Sequence, residues 1–202
     1  HVIIAGLGRK GLLLAQTLRQ RGVTVVVLEE DAENDLTELT RQMFAELYER
    51  LVALDERIAH YDRQIQQLHL ASPQSRRLEK VRGVGPLIAT ALLASVGDAS
   101  SFKNGRQFAA WVGLVPRQQS SGGKPRLLGI TKRGDEYLRM LLVHGARAVV
   151  TQAARRDDPF SRWINALRER RGMNVTVVAV ANKTARVIWA MLARDEEYGA
   201  AV

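Results

Sequence analysis

The 202-residue chain carries 30 Lys and Arg against 21 Asp and Glu, a net charge of +9, and 46% hydrophobic residues, which suits a globular chain of one or two domains that meets phosphates or another anionic surface. With no cysteine present, disulfides, thiolate metal sites and a cysteine nucleophile are excluded, so a covalent catalyst must be Ser, Thr, Tyr, Lys or a carboxylate. No window approaches the roughly 18 consecutive apolar residues that span a bilayer and no signal segment is recognisable, so a soluble, cytoplasmic, nucleoid-associated protein without membrane contact is expected.

Two β-branched runs, His1 to Ala5 and Val23 to Leu28, flank an apolar-periodic stretch from about Lys10 to Arg21, which predicts a Rossmann-like βαβ fragment over residues 1–35. Gly6, Gly8 and Gly11 form a G-x-G-x-x-G between strand and helix, and Glu29 closes the second strand where a ribose hydroxyl would bind. The opening "HVIIAGLGR" resembles the start of the TrkA-like or Kef-type nucleotide-binding (RCK) domains of bacterial potassium transport, over about the first 33 residues. That resemblance implies an NAD- or ATP-sensing regulator with a cofactor site at those four residues. The remaining parallel strands of such a fold are missing from the sequence, so the site reads as vestigial and no cofactor is expected.

From Leu36 the pattern changes. Leu47, Leu51, Leu54, Ile58, Tyr61, Ile65 and Leu68 recur at alternating spacings of four and three, with charged residues between them. This is a heptad seam and predicts a coiled-coil helix over residues 36–72. The preceding segment offers no partner helix of matching length, which favours a homo-oligomer over an intramolecular hairpin.

After the break at Ala71 to Ser75, residues 73–202 read as helical, with helices near Pro86 to Val96, Asn104 to Val112, Asp135 to Ala154, Asp158 to Arg170 and Val175 to Ala193. The expected fold class is mainly α, with a coiled coil, a helical C-terminal domain and the short N-terminal βαβ fragment. Gly83 and Gly85 place a tight turn before Pro86, and backbone N–H groups at such a helix start suit a phosphate. The stretch resembles a helix-hairpin-helix, a sequence-independent reader of the DNA backbone.

Next comes "RQQSSGGKPRLLGITKRGDEYLR", in which Arg117, Lys124, Arg126, Lys132 and Arg133 surround Ser120, Ser121, Gly122 and Gly123. Reaction of a serine hydroxyl at phosphorus needs positioning and cations on the non-bridging oxygens, and Lys and Arg supply them. Local composition alone also fits an ordinary basic surface loop. His60 and His69 read as solvated and His144 as a core or interface histidine. Trp111, Trp163 and Trp189 read as core, and Arg168, Arg170 and Arg171 as a solvated helix face with a secondary chance of phosphate contact.

Taken in order, the heptad helix, "GVGPLIATALLASVGD", "FAAWVGLVPRQQSSGGKPRLLGITKRGDEYLRMLLVHGARAV" and "ANKTARVIWAMLAR" resemble the C-terminal half of IS110-family transposases, the IS1111 group in particular, from about residue 36 to Tyr198. The resemblance implies a serine in an S-G pair that attacks the DNA backbone to form a phosphoserine link. Here that is Ser121, with Ser120 as the alternative. It also implies DNA as partner, insertion-sequence ends and target alike, and a structured guide RNA used by relatives. The family's other half is a RuvC-like nuclease whose carboxylates hold divalent metal such as Mg. Nothing before the heptad helix has that character, so an incomplete or hybrid reading frame is expected, with no metal site in this chain. A non-catalytic DNA-binding or oligomerisation module is the alternative.

Overall fold

The computed structural model describes residues 2–5, 18, 25–28, 38–119 and 126–199, in two compact units, 1–60 and 61–202. In the first unit β1 (Val2–Ala5) and β2 (Val25–Leu28) pair in parallel, with Val2 opposite Val25 and Ala5 opposite Leu28. A parallel pair needs a crossover of about a dozen residues or more, and these two β-branched runs are spaced accordingly. Helix α1 runs from Glu38 to Ala71 for 34 residues without Gly or Pro, about 51 Å at 1.5 Å per residue. Its heptad leucines and isoleucine, Leu47, Leu51, Leu54, Ile58 and Leu68, are exposed, as are Leu39, Met43 and Tyr61.

In the second unit, Pro73 stops α1 and starts α2 (Pro73–Glu79), because proline suits the first helical turn and no later one. Ser72 caps α2 by accepting the Ser75 N–H at 3.2 Å. His69 closes the corner: Nδ1 lies 2.7 Å from Ser75 Oγ and Nε2 lies 3.0 Å from Glu79 Oε2. The ring is buried, which corrects the solvated reading; the turn at Ser72 and Pro73 folds α2 back over it, bringing Ser75, six residues on, to its Nδ1. The Ser–His–Glu order resembles a hydrolytic triad, but Ser75 is fully buried and the group locks a corner.

Helices α3 (Pro86–Val96), α4 (Gly105–Trp111), α5 (Glu136–Ala153), α6 (Pro159–Arg171) and α7 (Met173–Ala193) follow, within two residues of the sequence expectation. Their starts were legible because Asn104, Asp135 and Asp158 each accept an N–H three residues ahead. The core sits around α7, whose Val177, Val180, Ala181, Ala185, Ile188 and Trp189 are buried. By length and composition α7 could cross a membrane, more apolar than the sequence reading allowed; that apolarity is spent on packing against α4, α5 and α6. Trp189 Nε1 donates to the carbonyls of Ala99 and Phe102 at 3.1 and 3.2 Å. Beside it, Phe102, Phe108 and Trp111 form a ring trio with centroids 5.2 to 5.7 Å apart. The mainly helical class holds, with one departure described below: a second two-stranded pair that the sequence did not announce.

Two contacts fix how α5 and α6 pack. Gly83, at φ +81°, presses its carbonyl onto Gly145 of α5, where an added Cβ would lie 2.0 Å from that oxygen. Arg82, its neighbour, reaches both carboxylate oxygens of Asp158 at 2.9 Å. The Ser161 hydroxyl, 2.7 Å away, holds the Asp158 carboxyl below the usual carboxylate range, helped by Arg82 and the Ser161 N–H.

Gly145→Ala is therefore expected to lower unfolding free energy by about 1–3 kcal/mol through overpacking, measured by urea denaturation. Gly85→Ala, with no atom within 4 Å of the added carbon, should cost less than about 1 kcal/mol as a cap change. A carboxyl with a lowered folded-state pKa stabilises above its unfolded value, about 3.9, and that stabilisation fades as pH falls below it. The Tm gap between wild type and Asp158→Asn should thus be widest near neutral pH and narrow below pH of about 3.9, read by circular dichroism.

Candidate nucleic-acid interface

The basic segment forms a β-hairpin. Strand β3 (Pro116–Gln118) pairs antiparallel with β4 (Leu127–Ile130), Pro116 opposite Ile130 and Gln118 opposite Leu127, with an irregularity between. Gln119 N–H donates to the Arg126 carbonyl at 2.9 Å, so the ladder reaches the last described residue on each side of 120–125. Sequence reasoning missed these strands because "PRQ" is polar and exposed throughout and shows no alternation; pairing, not propensity, makes it a strand.

The base of the hairpin is held by two glycines. Gly113 has φ +83° and a Cβ there would fall 2.1 Å from the Arg133 carbonyl oxygen; Gly134 has φ +96° and its Cβ would fall 1.6 Å from the Trp111 oxygen. Two turns thus cross backbone against backbone, which no other residue permits. Across the crossing Lys132 N–H donates to Gly113 O at 3.3 Å and Thr131 N–H to Val115 O at 2.8 Å. Arg139, the last residue of the basic stretch, is buried. Its Nη1 donates to the Val112 carbonyl at 3.1 Å, satisfying an orphan group at the end of α4.

Arg117 and Arg126 are exposed on the two arms, and Lys132 and Arg133 are exposed at the base. None of the four makes an ion pair among the described residues. Lys132 adopts φ +55°, unusual for a residue with a side chain. Ser120, Ser121, Gly122, Gly123 and Lys124 lie outside the described residues, as do Gly6, Gly8, Gly11 and Glu29. At the other candidate turn, Gly83 needs to be glycine because α5 lies against it, while Gly85 faces open space at the start of α3. His144 is exposed rather than core, because it falls on the solvent side of α5, and His60 is exposed as expected. Arg170 and Arg171 are exposed at the C-terminal turn of α6, where cations oppose the helix dipole. Among the described residues no three His, Asp or Glu side chains gather in a way that would hold a metal ion.

Residues 75–160 match the model of the Transposase IS116/IS110/IS902 family. The chain is similar to a "Probable family 20 transposase" of Pseudomonas aeruginosa, 48% identical over 195 residues, covering 95% of this chain and 57% of that protein. It is also similar to the transposase for insertion sequence element IS1111A of Coxiella burnetii, 46% identical over 163 residues, 81% of this chain and 45% of that one. The transposase for IS1328 of Yersinia enterocolitica is 35% identical over 172 residues, 84% of this chain and 51% of that one. The chain thus spans about half the length of the curated relatives it matches. Because the Pseudomonas match covers 95% of the chain, it enters the first 35 residues, and their resemblance to potassium-transport domains finds no support. A glycine-rich turn after a short strand is a weak signal by itself. The hairpin, the Gly83 turn and α3 to α5 all fall inside residues 75–160, the stretch similar to the transposase IS116/IS110/IS902 family.

Proposed function

We propose that this chain grips DNA during transposition and that the hairpin brings Ser121, with Ser120 as the alternative, to a backbone phosphodiester. The observation that carries the reading is the hairpin itself. Its base is fixed by the Gly113–Gly134 crossing, and Arg117 and Arg126, exposed and without an ion pair among the described residues, stand on either side of the 120–125 segment. In the proposed step the serine oxygen forms a bond to phosphorus, one bridging P–O bond breaks, and the departing sugar oxygen takes up a proton as the serine loses its own. Reversal by another sugar hydroxyl rejoins the strand without an external energy source. Arg117, Lys124, Arg126, Lys132 and Arg133 neutralise the phosphorane oxygens or hold neighbouring phosphates. Gly85, open at the start of α3, allows the backbone of a duplex to approach. The divalent metal implied by the family resemblance finds no donor set among the described residues, and no step here is routed through it.

The exposed seam of α1 supports a second part of the reading: two chains pair through it, so that two DNA strands are handled together. The heptad side chains Leu47, Leu51, Leu54, Ile58, Tyr61 and Leu68 stay exposed in the single chain, and a heptad partner would cover them. A structured guide RNA is a further proposed partner, and competition by unlabelled RNA in the DNA-binding assay tests it.

Incubation with insertion-end DNA should give a covalent protein–DNA adduct, seen as a shifted band in a denaturing gel. Ser121→Ala should remove it, and its persistence would pass the role to Ser120. Salt-dependent duplex binding with no adduct would leave a non-catalytic DNA-binding module. Arg117→Ala and Arg126→Ala should each weaken duplex binding several-fold and reduce the salt slope by about one. In sedimentation equilibrium the wild-type chain should be oligomeric, and Leu54→Glu with Ile58→Glu should be monomeric.

A further inference from the structure

Helices α6 and α7 carry an arrangement that neither the core nor the hairpin uses. Trp163 stacks on Phe160, one turn earlier in α6, with ring centroids 5.6 Å apart and planes 10° from parallel. Phe160 leans on the core, but Trp163 keeps 40% of its surface exposed. From α7, Lys183 Nζ sits 5.7 Å from the Trp163 centroid and 5.8 Å from that of Phe160, a cation held at the edge of an aromatic surface. Arg186 follows one turn later on the same helix. Arg106 joins them from α4, which comes so close that a Cβ on Gly105 would lie 3.0 Å from Arg186 Cα.

Trp163, Lys183, Arg186 and Arg106 line one open groove of about 620 Å³, a size that holds a nucleobase with its sugar. Lys183, Arg186 and Arg106 make no ion pair among the described residues. The two carboxylates on the same groove are engaged elsewhere, Glu197 with Lys80 at 2.9 Å and Glu196 with Arg194 at 3.5 Å. The groove therefore presents an exposed indole and three available cations in a chain of net charge +9.

We infer that this groove binds single-stranded DNA, an unpaired base stacking on Trp163 while Lys183, Arg186 and Arg106 hold the flanking phosphates. The inference rests on the DNA reading of the hairpin and deepens it. A duplex offers no base face to an indole without unstacking, whereas a free strand does, and stacking on an aromatic ring tolerates any base.

The test is fluorescence anisotropy with the whole chain and a labelled 20-nucleotide oligo-dT, the same length of duplex, an abasic strand of equal charge, and oligo-U. Trp163→Ala should weaken oligo-dT binding about tenfold, Trp163→Phe should recover most of it, and duplex binding should change less than about twofold. Arg186→Gln, which leaves the aromatic pair intact, should weaken oligo-dT and the abasic strand alike and lower the salt slope by about one. Circular dichroism of the Trp163 variants checks that the fold is kept. Equal oligo-dT affinity for wild type, Trp163→Ala and Trp163→Phe would overturn the inference, as would an abasic strand that binds as tightly as oligo-dT. Tighter, Trp163-dependent binding of oligo-U would assign the groove to RNA and overturn the DNA assignment. Oligo-dT binding indifferent to Trp163, with duplex binding still weakened by Arg117→Ala, would sink the groove alone, whereas no binding of any nucleic acid would sink the hairpin reading with it.

Discussion

The crossing of Gly113 over Gly134 is the contact on which the rest of the candidate interface depends. Carbonyl oxygens of Trp111 and Arg133 occupy the space where side chains would stand, so the turn that ends α4 and the turn that starts α5 are fixed against each other. The described residues between them, 114–119 and 126–133, leave the helical domain and return to it. The first of them, Leu114, is buried, and Asn182 of α7 donates to its carbonyl at 3.3 Å. The far end is held because Asp135 caps α5, accepting the Leu138 N–H at 2.9 Å. Arg139 finishes the joint from below. A hairpin tied at both feet to buried helices holds Gln119 and Arg126 in fixed register, and the proposed positioning of a weak nucleophile against phosphorus calls for such support.

The same economy explains why basic residues divide into two kinds. Arg82 and Arg139 turn to a half-buried carboxylate and a buried carbonyl, where guanidinium geometry ties together groups of the fold. Arg117, Arg126, Lys132 and Arg133 remain exposed on the hairpin, and Lys183, Arg186 and Arg106 remain exposed around Trp163. Net charge alone gives no such division.

Much of the helical domain was legible before any coordinates, because its starts are written in short-range chemistry. Asp158 before Pro159, Asn104 before Gly105 and Pro86 after Gly85 are local signals that tertiary packing had no reason to override. The hairpin was not legible, since its strands are defined by a partner across a turn and by two glycines twenty residues apart. His69 was misread for a related reason: on a helix full of charged neighbours it looks solvated, and only the fold-back of α2 at Pro73 buries it. Trp163 erred the other way. Its aliphatic neighbours suggested core, but Ile164 takes the inward position and leaves the indole outside. For the candidate site, the sequence placed the basic residues and the serine pair in one segment; it did not show that Gly83 is shaped by α5.

The match of residues 75–160 to a transposase family model gives the hairpin its chemical context, and the proposed phosphoserine gives it a task. The decisive measurement is mass spectrometry of the covalent adduct after nuclease and trypsin digestion. Pro125 blocks cleavage after Lys124, so both serines travel in the peptide Gln118 to Arg126. A nucleotide remnant on Ser121 within that peptide is the expected result, and a remnant mapped to a residue outside it would contradict the proposed chemistry.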